Sequence, residues 1–311
     1  MTGIIVKALS SFYYVSTGDA LYECKARGSF KKSAFSPLVG DSVDFEILDA
    51  THGVINKIFE RKNVLIRPNV ANIDKLFIVS SYSTPAPNYY IIDKITAIAR
   101  YNNIEPIIVF NKADMGDFSE YKRIYEKAGF KTLVVSAQTG EGMNELLPEL
   151  ANSISAFTGN SGVGKSSILN YVFGNSNIAT GDVSEKLGRG RHTTRHIEAY
   201  RLECGGYVVD TPGFSSIENN YNDYAFKEAL AESFTDFGDL IYNCKFSSCT
   251  HTTENGCKVL EAVENGDIPK SRHESYCVMM EQAKEIKEWE LNKLKNRSNE
   301  NQYGKVECNH I

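Results

Sequence analysis

The run Gly159-Asn160-Ser161-Gly162-Val163-Gly164-Lys165-Ser166 is the part of this chain best equipped to do chemistry. Its glycines let backbone N–H groups turn inward around phosphate oxygens, and the Lys165 ammonium can reach the β- and γ-phosphates. The Ser166 hydroxyl is a hard oxygen ligand suited to Mg²⁺. Apolar Ile154–Phe157 before the run predicts a strand, and 167–172 after it predicts a helix. The N-terminus of that helix, Ser167 included, adds partial positive charge to the phosphate site. A chance glycine-rich turn would not carry both flanks.

Two further stretches address the rest of a nucleotide. Asp210-Thr211-Pro212-Gly213 follows apolar Tyr207–Val209. An acid at a strand end can hold Mg²⁺ through water, and the Gly213 N–H can approach a γ-phosphate. Alone, this tetrapeptide also reads as a turn. Asn111-Lys112-Ala113-Asp114 says more. A carboxylate accepts two hydrogen bonds at once, so Asp114 can take both N1–H and the 2-amino group of guanine. Adenine offers no such donor pair, so the site prefers GTP over ATP. Ser136-Ala137 closes a neighbouring strand and would support the base through its backbone.

A third cluster is of another kind. Cys244, Cys249, His251 and Cys257 supply three thiols and an imidazole, a closed tetrahedral set for Zn²⁺ with no open position. Such a site is structural, holding together a loop-rich module too small for its own core. Cys24, Cys204, Cys277 and Cys308 have no such company and read as ordinary thiols. Seven cysteines, an odd count, do not suggest a disulfide framework.

The elements that must position these residues fall into three stretches. From 1 to 67, Ile4–Val6, Phe12–Val15, Leu21–Cys24, Ser42–Ile47 and Gly53–Ile58 are short strands separated by turn signals, which suits a small β-barrel of the OB kind. Nine Lys/Arg stand against seven Asp/Glu there; the barrel face could meet RNA or a protein, and the pattern leaves both open. From 68 to 221, strands at Leu76–Ser80, Pro106–Phe110 and Thr132–Val135 alternate with helices. Asn88 can cap the first helix, and Tyr121, Ile124, Tyr125 and Ala128 mark the second. This alternation predicts a parallel sheet covered on both faces, with ligand at the carboxyl ends of the strands. From 222 to 311 the pattern turns helical and polar around the Cys/His cluster. Near the end, Ala283, Ile286, Trp289 and Leu294 form an apolar stripe.

The order of the nucleotide motifs is unusual. The base-reading NKAD and SAQTG precede the phosphate loop instead of following it, giving the order G4-G5-G1-G2-G3. Such a permutation leaves a packed sheet intact when the old termini were neighbours, and 141–153 would be the bridge. The γ-phosphate sensor then feeds directly into the C-terminal region.

On these motifs, together with Arg67-Pro68-Asn69-Val70-Ala71-Asn72-Ile73-Asp74 and Gly190-Arg191-His192-Thr193-Thr194, the chain resembles the RsgA (YjeQ/YloQ) family of circularly permuted GTPases along nearly its whole length. The resemblance implies a multidomain protein: an OB-fold β-barrel, an α/β P-loop GTPase domain, and a C-terminal α-helical zinc-binding domain. It implies GTP hydrolysis to GDP and phosphate, stimulated by the small (30S) ribosomal subunit, in late maturation near the decoding region, with 16S rRNA as a contact. Where Ras-like GTPases carry a water-orienting Gln, this chain has Phe214, which cannot hold water. Family resemblance makes His192 the candidate catalytic residue and Thr193 or Thr194 the sensor of Mg²⁺ and γ-phosphate, with Thr194 joining Ser166 as a metal ligand. Arg189, Arg191 and Arg195 could stabilise transition-state charge or contact RNA phosphates.

Two other classes stay open: a GTP-gated binding module with incidental turnover, which Phe214 keeps alive, and a switch acting on a protein partner. Composition narrows the field. With 42% hydrophobic and 23% charged residues the chain is neither disordered nor fibrous, and a net charge of −5 argues against a histone-like nucleic-acid binder. No apolar run approaches the roughly 18–20 residues of a membrane span, and no secretory signal opens the chain. A cytoplasmic monomer is expected.

Overall fold

The computed structural model describes residues 1–9, 11–27, 36–65, 68–82, 85–174, 197–210 and 224–284. The first five strands are β1 (Thr2–Leu9), β2 (Phe12–Ser16), β3 (Leu21–Ala26), β4 (Ser42–Ile47) and β5 (His52–Ile58). They run in the order β1-β2-β3-β5-β4, and β4 pairs back onto β1, which closes the barrel. Alternation along each strand fills it. In β4, Val43 and Phe45 are buried while Asp44 and Glu46 turn outward, and Val43 and Phe45 meet Ile5, Val15, Cys24 and Ile55 in the barrel core.

A short ribbon, β6 (Val64–Leu65) with β7 (Val70–Ala71), leads out of the barrel. It is anchored by polar contacts. The Arg61 guanidinium donates to both carboxylate oxygens of Asp41, at 2.6 and 2.7 Å. Asn72 accepts from Lys62 N at 2.8 Å and donates to the Gly40 carbonyl at 2.9 Å.

Beyond it lie β8 (Lys75–Ser81), α1 (Tyr89–Tyr101), β9 (Glu105–Asn111), α2 (Ser119–Lys127), β10 (Lys131–Val135), α3 (Met143–Leu146), β11 (Ile154–Thr158), α4 (Lys165–Gly174), β12 (Glu198–Arg201) and β13 (Tyr207–Asp210). Strands β10, β9, β8, β11 and β13 are successive parallel neighbours. The period of two decides what each face meets. In β8, Leu76 and Ile78 pack into one core with Ile92, Ile95 and Ile98 of α1. Phe77 and Val79 enter the other, with Met143 of α3 and Ile168 and Val172 of α4. A strand apolar on both faces belongs in the middle of a covered parallel sheet. Helix α1 begins where expected: the Asn88 side chain accepts from Ile91 N at 3.2 Å.

Strand β12 runs antiparallel to β13 and also pairs with β1, so barrel and parallel sheet are hydrogen-bonded into one continuous sheet. The sequence pattern does not announce β12, because four residues of mixed polarity carry little periodic signal. A buried contact between Ser16 Oγ and the Tyr207 hydroxyl, 3.1 Å, ties the two parts again.

Toward the C-terminus follow α5 (Tyr224–Glu228), α6 (Leu230–Ser233), a 3-10 turn at Thr235–Tyr242, α7 (Lys258–Glu264) and α8 (Lys270–Lys284). Phe234, Phe237 and Tyr276 pack ring against ring and join the core that α1 faces. Through that contact runs Arg272 of α8, fully buried. It donates to Asp93 of α1 at 2.8 Å and to Asp236 at 2.7 and 2.9 Å. Its guanidinium also lies over the Phe130 and Phe234 rings. No helix among the described residues is long and apolar enough to cross a membrane.

Candidate functional site

Loops leaving the carboxyl ends of β9, β10 and β11 converge at one end of the parallel sheet, where open α/β sheets bind ligands. The loop after β11 is the phosphate loop, 159–166. Gly159 (φ 137°) and Gly164 (φ 95°) lie where a side chain would be strained and would also collide. A Cβ at 159 would meet the Val79 carbonyl at 2.1 Å, and one at 164 would meet the Asn111 amide nitrogen at 2.2 Å. Gly164 is therefore set by the base-reading loop as much as by the phosphates.

Asn111 joins the loops. Its amide nitrogen donates to the Val163 carbonyl at 3.0 Å, and its amide oxygen accepts from Ala137 N at 3.1 Å. Lys112, held at a left-handed φ of 66°, donates from Nζ to the Gly162 carbonyl at 2.9 Å. Ser136 Oγ donates to Asp114 Oδ1 at 2.5 Å and accepts from Thr139 N at 3.2 Å. NKAD, SAQTG and the phosphate loop, separate in sequence and in permuted order, thus form one hydrogen-bonded cluster. Spacing alone identifies Asn111 with the base site; its part as the clasp between loops is visible only in three dimensions.

Lys165, the first residue of α4, reaches back over the loop and donates to the Gly159 and Asn160 carbonyls at 2.6 and 2.7 Å. Burial pulls its ammonium below the usual lysine range. A triphosphate would favour the charged form and draw the ammonium off those carbonyls. Ser166 and Ser167 are exposed in the first turn of α4, free to face a ligand. Asp210 ends β13, directly beside β11. Burial, and then the charge of Glu198, raise its carboxyl above the ordinary range, so a cation placed there would be welcome. Ser166 and Asp210 are both oxygen donors, which fits Mg²⁺. His192, Thr193, Thr194, Gly213 and Phe214 lie outside the described residues, as do Arg189, Arg191, Arg195, Cys308 and the apolar positions Ile286, Trp289 and Leu294.

The second site stands in the C-terminal helical region. The ligand atoms of Cys244, Cys249, His251 and Cys257 all lie within 4.8 Å of one another. His251 Nδ1 is 3.4 Å from Cys244 Sγ and 3.5 Å from Cys257 Sγ, and those sulfurs are 3.8 Å apart. With metal–sulfur bonds of about 2.3 Å, a tetrahedral ion needs edges of this length. Burial pushes the Cys249 thiol up to about 12 and raises Cys257, so the thiolates a metal requires depend on the metal's own charge. The surrounding loop is stiff. Glu254 accepts from Thr250 N, Thr252 N and Thr253 N at 2.8–3.0 Å. His273 of α8 contacts the His251 carbonyl through Nε2 at 2.8 Å. This support from α8 was invisible in the motif itself.

The chain is similar to known proteins along nearly all of its length. The family model described as RsgA GTPase matches residues 58–220, and that of the RsgA N-terminal domain matches 2–55. A small ribosomal subunit biogenesis GTPase RsgA of Caldanaerobacter subterraneus subsp. tengcongensis is 44% identical over 297 residues, 94% of this chain and 98% of the relative. The protein of that name from a Geobacillus species is 42% identical over 291 residues, 92% of this chain and 98% of its own. Among solved structures, YjeQ from Thermotoga maritima superposes with a TM-score of 0.77 at 35% identity, covering 92% of this chain and 99% of that one. YloQ, described as a circularly permuted GTPase, gives 0.77 at 31% identity, covering 92% and 96%.

Proposed function

The chain belongs to the RsgA family of GTPases, and from that premise we propose that it hydrolyses GTP in the biogenesis of the small ribosomal subunit. The observation that carries the reading is the Asn111 clasp, which hydrogen-bonds 111–114, 136–137 and the 159–166 loop to one another. In this reading Asp114 reads guanine, with Ala113 and the backbone of Ser136 and Ala137 lining the base. Residues 159–167 cradle the phosphates, and Lys165 neutralises the β- and γ-oxygens. Ser166 and Thr194, with Asp210 acting through water, would hold Mg²⁺, which would supply further positive charge at those oxygens. Water attacks the γ-phosphorus as its bond to the β-phosphate oxygen breaks, giving GDP and phosphate. Phe214 cannot orient that water, so turnover is slow until a partner completes the site, with His192 positioning the water.

The division at 67 and 221, Zn²⁺ as the metal of the Cys/His site, contact of the barrel with 16S rRNA, a monomeric state and a cytoplasmic location belong to the same proposal. Single-turnover GTP hydrolysis with and without purified small subunits tests it. Subunits should accelerate the wild type, and His192→Ala should bind GTP normally yet lose about 100-fold of the stimulated rate. An unaccelerated wild type would instead favour a GTP-gated binding module. Equal stimulated rates for the two would remove His192 from the chemistry.

A further inference from the structure

Three strands from two parts of the fold each put one charged residue into a single row. Lys7 of β1 is the register partner of Glu198 of β12, and Glu198 is the register partner of Asp210 of β13. Directly opposed residues project from the same side of a sheet, so the three side chains share a face. Lys7 Nζ lies 3.3 Å from Glu198 Oε2, with each side chain 26% exposed. The Tyr200 hydroxyl, on the same face two residues along β12, donates to Glu198 at 3.5 Å. Glu198 therefore stands between a cation on the barrel side and an acid on the nucleotide side.

We propose that Lys7 is a positioning residue for the magnesium–nucleotide site: by pairing with Glu198 it holds and partly offsets the second carboxylate that stands beside Asp210. The barrel thereby sets how steeply nucleotide binding depends on Mg²⁺. The proposal rests on the GTP-binding reading above. Strand spacing places Lys7 roughly 10 Å from Asp210, about one screening length at physiological salt, so its own charge is felt weakly there. Glu198 is one strand away and acts directly. Released from Lys7, its carboxylate repels metal-free phosphates and attracts the cation. An acidic partner that captured Lys7 would do the same.

The test is the affinity of a fluorescent non-hydrolysable GTP analogue in excess Mg²⁺ and in EDTA, read as the ratio of the two dissociation constants. Lys7→Met should raise the EDTA-to-Mg²⁺ ratio about fivefold, the scale of one partly exposed ion pair. Lys7→Arg should leave it at the wild-type value, Glu198→Gln should lower it, and Lys7→Met should have no further effect in the Glu198→Gln background. A merely structural Lys7 would change both affinities equally and leave the ratio alone. That result, or an undiminished Lys7→Met effect in the Glu198→Gln background, overturns the proposal. Failure of the wild type to bind the analogue at all would instead overturn the GTP-binding reading.

Discussion

Asp114 is held for its task by Ser136, whose hydroxyl takes one carboxylate oxygen at 2.5 Å and leaves acceptor capacity for a base. A carboxylate matches two donors on guanine; an amide in its place offers one acceptor and one donor, the pattern that xanthine meets. Asp114→Asn should therefore weaken GTP binding about 100-fold, the loss of charge-assisted hydrogen bonds worth about 3 kcal/mol, and should gain affinity for XTP. Competition against a fluorescent guanine nucleotide reads both, and unchanged discrimination would remove Asp114 from the base site. The chemistry-bearing residues were largely legible in the sequence because each motif needs particular residue types at fixed spacing. Lys7 and Glu198 were not. Two isolated charges 191 positions apart carry no pattern, and only the pairing of β1 with β12 brings them together.

Among the elements, α1 and α8 are joined by an ionic triad inside an aromatic cage. Arg272 pairs with Asp93 and Asp236 from a fully buried position. Removing one partner of such a network strands the others without solvent. Arg272→Met should cost about 3–5 kcal/mol, seen as a thermal midpoint lowered by several degrees, and adding Asp93→Asn and Asp236→Asn should recover part of the loss. A single variant as stable as the wild type would contradict this. The metal site makes a separate demand on α7 and α8. Stripping the metal with a chelator should loosen the 244–277 region to proteolysis while guanine-nucleotide binding persists. Equal protection before and after would mean that hydrogen bonds around Glu254 and His273 suffice. Strands β1–β5 and β8–β11 could be read from alternation and turn residues, and α1 from its Asn88 cap. Arg272 could not, since a lone arginine in a helix of mixed polarity is usually solvated; its burial is decided by which helix packs above it.

At the scale of the whole molecule, permutation has placed the base-reading loops ahead of the phosphate loop without disturbing the sheet that carries them. Strands β9, β10 and β11 deliver their loops to one end of the parallel sheet whatever the order of synthesis. The barrel is bonded to that sheet through β1 and β12, and the helical region to its flank through α1 and α8, so an event at the nucleotide has a covalent or packed route to both. One nucleotide is to span Asp114 and Lys165, whose motifs stand in permuted order along the chain. The most direct test is equilibrium titration of the full chain with a fluorescent GDP analogue, comparing wild type, Asp114→Ala and Lys165→Ala. The account predicts one saturable site in the wild type, competed by GDP and not by ADP, and loss of binding in both variants. Full binding by either variant, or equal competition by ADP, would contradict it.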